Sequence, residues 1–185
     1  EIWWPHIEKL SESELREVRE AAAELNLAIP LVSPYLGTFN LEMTNAEEMI
    51  ERIRVAAPAA AALGSPLLRA FAGWTCECSS LTASEEYWEY NLKGFEEMTV
   101  IAEAYDVCIA IETHSGTLCD SIEGVRRFAE RCGPRIKVNL QLDDITVNSG
   151  LDRDVDVYIA LKDLVVHAHV PPIVAEERKG EYAVL

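Results

Sequence analysis

Val107-Cys-Ile-Ala-Ile-Glu-Thr-His114 is a short apolar run that turns polar at its last positions. Its length and its β-branched content fit a strand buried on both faces. Strand side chains alternate between faces, so Ala110, Glu112 and His114 share one of them. Two more runs of this kind follow. Ile136–Asp143 sets Asn139, Gln141 and Asp143 on one face, and Leu164–Val170 sets His167 and His169 on one face. Three consecutive strands therefore end in E-x-H, Q-x-D and H-x-H, and they hold three of the four histidines of the chain.

The segments between and before these runs read as helices. Asp120–Cys132 is closed by Gly133-Pro134, and Leu151–Leu161 reads as a short helix before the last strand. Upstream, Glu1–Trp4 is a short strand stopped by Pro5, and Ser11 with Glu14 forms a capping-box opening for a helix through Leu15, Val18, Ala22 and Leu25. Ala28–Tyr35 is a strand shaped by Pro30 and Pro34. Thr44-Asn-Ala-Glu-Glu opens a second helix that runs to Leu63 and Gly64, with Pro58 as a point of kinking or restart. Leu67–Gly73 is the third strand, Ser84 opens a helix to about Tyr105, and a further strand begins near Tyr182 in the tail.

Six strand–helix units thus follow one another, with strand starts about 30 residues apart, a pattern that predicts a parallel sheet covered by helices. A doubly wound open sheet and a (β/α)8 barrel both fit. No G-x-G-x-x-G follows any strand and no Walker A motif is present.

Composition narrows the partners. The 185 residues carry 32 Asp and Glu against 16 Lys and Arg, a formal net charge of −16. A field of that sign repels nucleic acid and anionic membranes, and no basic cluster offsets it. No run approaches the length of a membrane span and no signal peptide is visible, although the first residue is Glu1 and a removed leader is compatible with that start. The five cysteines are odd in number and scattered, which argues against a secreted disulfide framework and for a reducing cytoplasm. Cys108 reads as a small core residue, and the C-x-C pair Cys76 and Cys78 has no second pair at zinc spacing.

In parallel α/β folds, sites lie at the carboxyl ends of the strands. Carboxylates and imidazoles gathered there suit a divalent metal such as Mn²⁺, Mg²⁺, Co²⁺ or Zn²⁺. Any one of them read alone is a helix cap, a salt-bridge partner or a satisfied core histidine. Their recurrence on three successive strand ends favours a site, because burying each without a partner costs about 1–3 kcal/mol.

Ile111-Glu-Thr-His-Ser-Gly-Thr-Leu-Cys-Asp-Ser121 resembles the E-x-H-x-G-T-L-x-D-S/T signature of the sugar phosphate isomerase/epimerase superfamily, the xylose-isomerase-like TIM barrels. Val138-Asn-Leu-Gln-Leu-Asp143 and Val166-His-Ala-His-Val170 resemble its next two strands. Glu1-Ile-Trp-Trp-Pro-His6 and Ile29-Pro-Leu-Val-Ser-Pro-Tyr35 resemble two early ones. The resemblance implies an α/β fold of (β/α)8 TIM-barrel type over residues 1–185 as one partial domain, with about six units and without the first and last strands. It implies Glu112, Asp143 and His169 as metal ligands; the family's fourth, a Glu on the last strand, would lie beyond this chain. Where epimerases of the family often carry His, Thr146 stands here.

The implied activity is metal-dependent isomerisation or epimerisation of a sugar, a sugar phosphate or a related polyol ketone. Protons would move through an enediolate, with Glu112 as acid and base. Substrate contacts would fall to His114, Gln141, His167 and Trp74. Trp74 reads equally well as plain packing. A barrel that binds metal or ligand without turnover, and an inosose-type dehydratase using the same residues, are the alternatives. The unpaired strand edges of an open barrel lead us to expect a homo-oligomer.

Overall fold

The computed structural model describes residues 1–73, 79–142 and 145–169. Six strands form one sheet: β1 (Ile2–Trp3), β2 (Val32–Leu36), β3 (Leu67–Ala70), β4 (Cys108–Glu112), β5 (Ile136–Gln141) and β6 (Val165–His169). Every neighbouring pair is parallel and the order in space is β1 to β6 without a break. That order decides between the two expected architectures. A doubly wound sheet reverses direction at a switch point, and this sheet never does, so it winds in one sense as a barrel wall does.

The connecting helices are α1 (Glu12–Glu24), α2 (Ala46–Leu63), α3 (Glu85–Ala104), α4 (Ile122–Cys132), the single turn α5 (Ile145–Asn148) and α6 (Asp154–Leu161). Local chemistry explains most of their ends. Ser11 accepts from the Glu14 amide while Glu14 reaches back to the Ser11 amide, the reciprocal box expected from sequence. Ser84 and Ser121 cap α3 and α4 in the same way, from Tyr87 and Gly124. Gly64 ends α2 in the left-handed conformation, at φ +72°. Pro58 does not restart α2, which runs through it for 18 residues. Ala56, Ala57 and Ala60 are fully buried around it, so packing carries the helix past the missing hydrogen bond.

Several boundaries differ from the sequence reading. β2 starts at Val32 rather than Ala28, and its register against β3 shifts where Tyr35 takes φ +54°. β3 ends at Ala70, yet the chain stays beside β2 as far as Gly73, since Phe71 donates to the Leu36 carbonyl and Gly73 to that of Gly37. α6 starts at Asp154 rather than Leu151, and α5 was not expected at all. Trp4 does not continue β1; with Pro5 it opens a 3₁₀ turn through His6.

The core lies between the sheet and its helices. Val32, Leu68, Ile109, Ile111 and Val138 point into it, against Phe39, Phe95, Phe128, Trp88 and Met98. Phe95 packs edge-on to Phe39 and Phe128, with centroids 5.8 and 4.9 Å apart. Gly94 makes room for this cluster: a Cβ there would sit 2.3 Å from the Phe39 ring. The other sheet face has its own small apolar layer of Leu31, Leu67 and Ala110. Cys108 belongs to this second layer and is only half-buried, a correction to its reading as a plain core residue. Among the described residues no helix is long and apolar enough to cross a membrane.

Candidate metal and substrate site

Above that small layer the inner face becomes polar, strand by strand. Ser33 on β2, Arg69 on β3, Glu112 on β4, Asn139 on β5, and His167 and His169 on β6 all lie on it, with Glu1 just ahead of β1. Register explains the convergence. Glu112 pairs with Asn139, Asn139 with His167, and Gln141 with His169, so these positions form adjoining rows across three strands. The sheet also curls enough for its two ends to meet: His169 Nε2 lies 2.7 Å from Glu1 Oε2, across 168 positions of sequence.

Glu112 is buried, with Oε2 3.2 Å from Arg69 Nη1 and Oε1 3.4 Å from His169 Nδ1. Arg69 also reaches Glu1 Oε1 at 3.5 Å, and its guanidinium lies 5.0 Å from the Tyr35 ring centre and 5.2 Å from that of Phe71. The Asn139 amide lies 3.4 Å from Glu112 Oε2. Ser33 donates to Glu1. Burial pushes the Glu1 carboxyl up, but hydrogen bonds from Ser33 and His169 and the charge of Arg69 outweigh it, leaving the group below its ordinary value. Burial pulls the His167 imidazole below its ordinary value, with Glu1 opposing and His169 adding to the shift.

Among the described residues, two buried polar atoms of this face have no partner, Arg69 Nε and Asn139 Oδ1. An orphaned donor and an orphaned acceptor on one face suit a ligand that brings both kinds of group, as a hydroxylated substrate does. The donor set also fits a divalent cation. Glu112 and His169 face each other, and one ligand atom each from Glu1, His167 and His169 falls within 4.8 Å of the others.

The structure therefore brings Glu112, His167 and His169 together as the sequence led us to expect. Gln141 stands at the end of β5, where its backbone N–H donates to Thr113 Oγ1. His114 lies beyond the end of β4, not on it, with Nδ1 2.7 Å from the Ser115 carbonyl oxygen and its ring edge-on to Phe71 at 5.8 Å. Asp143, Trp74, Cys76, Cys78 and the tail beyond His169 lie outside the described residues. Thr146 is tied to structure, donating to Asp154 Oδ1 at 2.7 Å and so joining α5 to α6.

Sequence reading missed Glu1, Ser33 and Arg69. Arg69 left a signal, a single charge inside Leu67-Leu-Arg-Ala70, where every neighbour is apolar. Glu1 left none, because its role depends on the curl of the sheet.

Solved structures share this architecture. The probable 3-DHS dehydratase AsbF of Bacillus anthracis, involved in petrobactin synthesis, superposes with a TM-score of 0.78 at 22% identity, over 96% of this chain and 64% of that one. D-psicose 3-epimerase with D-tagatose from Clostridium cellulolyticum H10 gives 0.72 at 15%, over 91% and 61%. A xylose isomerase-like TIM barrel protein from Mycobacterium smegmatis, in complex with magnesium, gives 0.67 at 14%, over 90% and 58%. The chain thus spans less than two thirds of the length of each of these structures. No curated protein sequence matches it. The sequence profile of one family matches residues 1–178, and with six parallel strands wound in a single sense the chain belongs to the xylose isomerase-like TIM barrel family.

Proposed function

We propose that this chain carries the metal and substrate site of a divalent-metal-dependent isomerase or epimerase acting on a keto-sugar, a sugar phosphate or a related polyol ketone. The observation that carries the reading is the facing pair Glu112 Oε1 and His169 Nδ1, 3.4 Å apart at the carboxyl ends of β4 and β6. Glu112 and His169, with Asp143, would hold the cation. When bound, it would supply Lewis-acid stabilisation of charge developing on substrate oxygens.

The chain's own residues account for the rest. Glu112 takes a proton from the carbon next to the substrate carbonyl and returns it. Arg69, at 3.2 Å, supplies the counter-charge that keeps the carboxylate in place within a buried wall. Asn139 Oδ1 accepts from a substrate hydroxyl, and His167 hydrogen-bonds a further substrate oxygen from the rim. The two rings beside Arg69, Tyr35 and Phe71, hold its guanidinium in place by cation–π contact.

Titration calorimetry with Mn²⁺ tests the site. Stoichiometric binding is expected for the wild type and none for the Glu112→Ala, His169→Ala double variant. Deuterium wash-in beside the carbonyl of a panel of keto-sugars, read by NMR, then tests the chemistry. Metal binding without any wash-in would favour the second reading, a barrel that binds metal or ligand without turnover.

A further inference from the structure

His169 is held between two carboxylates, and its two nitrogens meet them differently. Nε2 lies 2.7 Å from Glu1 Oε2, the length of a charge-assisted hydrogen bond. Nδ1 lies 3.4 Å from Glu112 Oε1. That is too long for a strong hydrogen bond, and it is about the spacing of two ligand atoms that share one cation with bonds of about 2.1 Å. Among the described residues, Asn139 also approaches this ring. Asn139 Nδ2 lies 3.4 Å from Nδ1 and 3.3 Å from Nε2. An in-plane approach equidistant from both nitrogens would collide with the ring carbons, so the amide sits over the imidazole face rather than in the ring plane, where a cation would meet the Nδ1 lone pair.

We propose that Glu1 is the positioning residue of this site: it accepts the Nε2 proton of His169 and so leaves Nδ1 as the nitrogen that turns to Glu112 and takes the cation. The inference rests on the metal-site reading above. Glu1 is itself braced for the task. Ser33 donates to Oε1, and Arg69 Nη1 stands 3.5 Å from the same oxygen, which leaves Oε2 for the imidazole. The carboxylate thus fixes the ring's tautomer and its rotation together, as an outer carboxylate does for a metal-bound histidine. The competing arrangement would place the cation among Glu1, His167 and His169, whose ligand atoms also converge. Metal on Nε2 there would displace the hydrogen bond that this nitrogen already makes with Glu1.

Long-range ¹⁵N–¹H correlation NMR of the Zn²⁺-loaded protein, with His169→Asn to assign the signals, reads the tautomer directly. Mn²⁺ calorimetry on Glu1→Ala and Glu1→Gln reads the coupling. We expect a protonated Nε2 and a metal-bound Nδ1. Glu1→Ala should weaken Mn²⁺ binding by about 10–100-fold. Glu1→Gln, which keeps an acceptor oxygen in the same place, should restore most of that loss and controls for any failure of the alanine variant to fold. A metal-bound Nε2, or unchanged affinity in a folded Glu1→Ala protein, overturns the inference while leaving the metal site standing. Absence of Mn²⁺ binding by the wild type overturns both.

Discussion

Each face of the sheet holds residues closed to water, and the two are opposite in chemistry. On the outer face Ile109, Ile111 and Val138 meet aromatic rings and helices. On the inner face Glu112 is 3% exposed and Asn139 0%, against 1% for Ile111. Burial alone therefore does not distinguish a core position from a site position. What distinguishes them is satisfaction. The outer side is satisfied apart from Asn91 Oδ1 on α3, whereas the inner face leaves both a donor and an acceptor without a partner among the described residues and sets a carboxylate opposite an imidazole nitrogen. A protein that needed only stability would fill such a wall with hydrocarbon.

Substitutions can break this contrast from either side. Phe95→Ala removes the ring that joins Phe39 to Phe128, and should lower unfolding free energy by about 3–5 kcal/mol while leaving Mn²⁺ affinity of the folded protein unchanged. Denaturant melts paired with calorimetry would show both.

On the inner face, Arg69→Met leaves Glu112 buried beside Glu1 without its cation. A loss of about 3 kcal/mol is expected, and the Arg69→Met, Glu112→Leu double variant should recover most of it while binding no metal. If the double variant is as unstable as the single one, the inner face is held by shape rather than by charge.

Gly94→Ala tests outer packing more gently. A methyl group there meets the Phe39 ring, and a loss of about 2 kcal/mol is expected.

The smallest effect is a difference in thiol reactivity. Burial, with help from the Glu96 charge and opposition from Arg131, pushes Cys132 on the outer side from an ordinary 9.0 up to about 12. Cys132 should resist alkylation at pH 8 in the native protein, and half-buried Cys108 should react before it, as peptide mass mapping would show. The sign of the linked effect on stability follows. The unfolded thiol loses its proton near 9 and the folded one near 12, so this residue's contribution falls as pH rises above 9.

The outer face was largely legible in the sequence. Apolar runs, serine caps and glycine stops depend on neighbours in the chain, and they gave all six strands and five of the six helices. α5 escaped because Ile145–Asn148 is a single turn with no period to detect. His167 and His169 were legible as a pair because alternation puts them on one face of β6, and Glu112 because it is a carboxylate ending an apolar strand. Arg69 was legible only as an oddity, a charge on a four-residue strand whose partners sit on other strands. Glu1 was not legible. Its hydrogen bond to His169 depends on strand stagger and sheet curvature, which arise from all six strands at once.

That contact has a kinetic side. Each strand lies beside its predecessor in sequence, so the sheet can grow by a series of short loop closures that differ little in entropy. The Glu1–His169 contact is the exception, since it joins the first strand to the last and becomes available only when the intervening strands have docked. Assembly of this polar wall is then the closing event of folding, and an imidazole signal from His169 would serve as a clock for its completion.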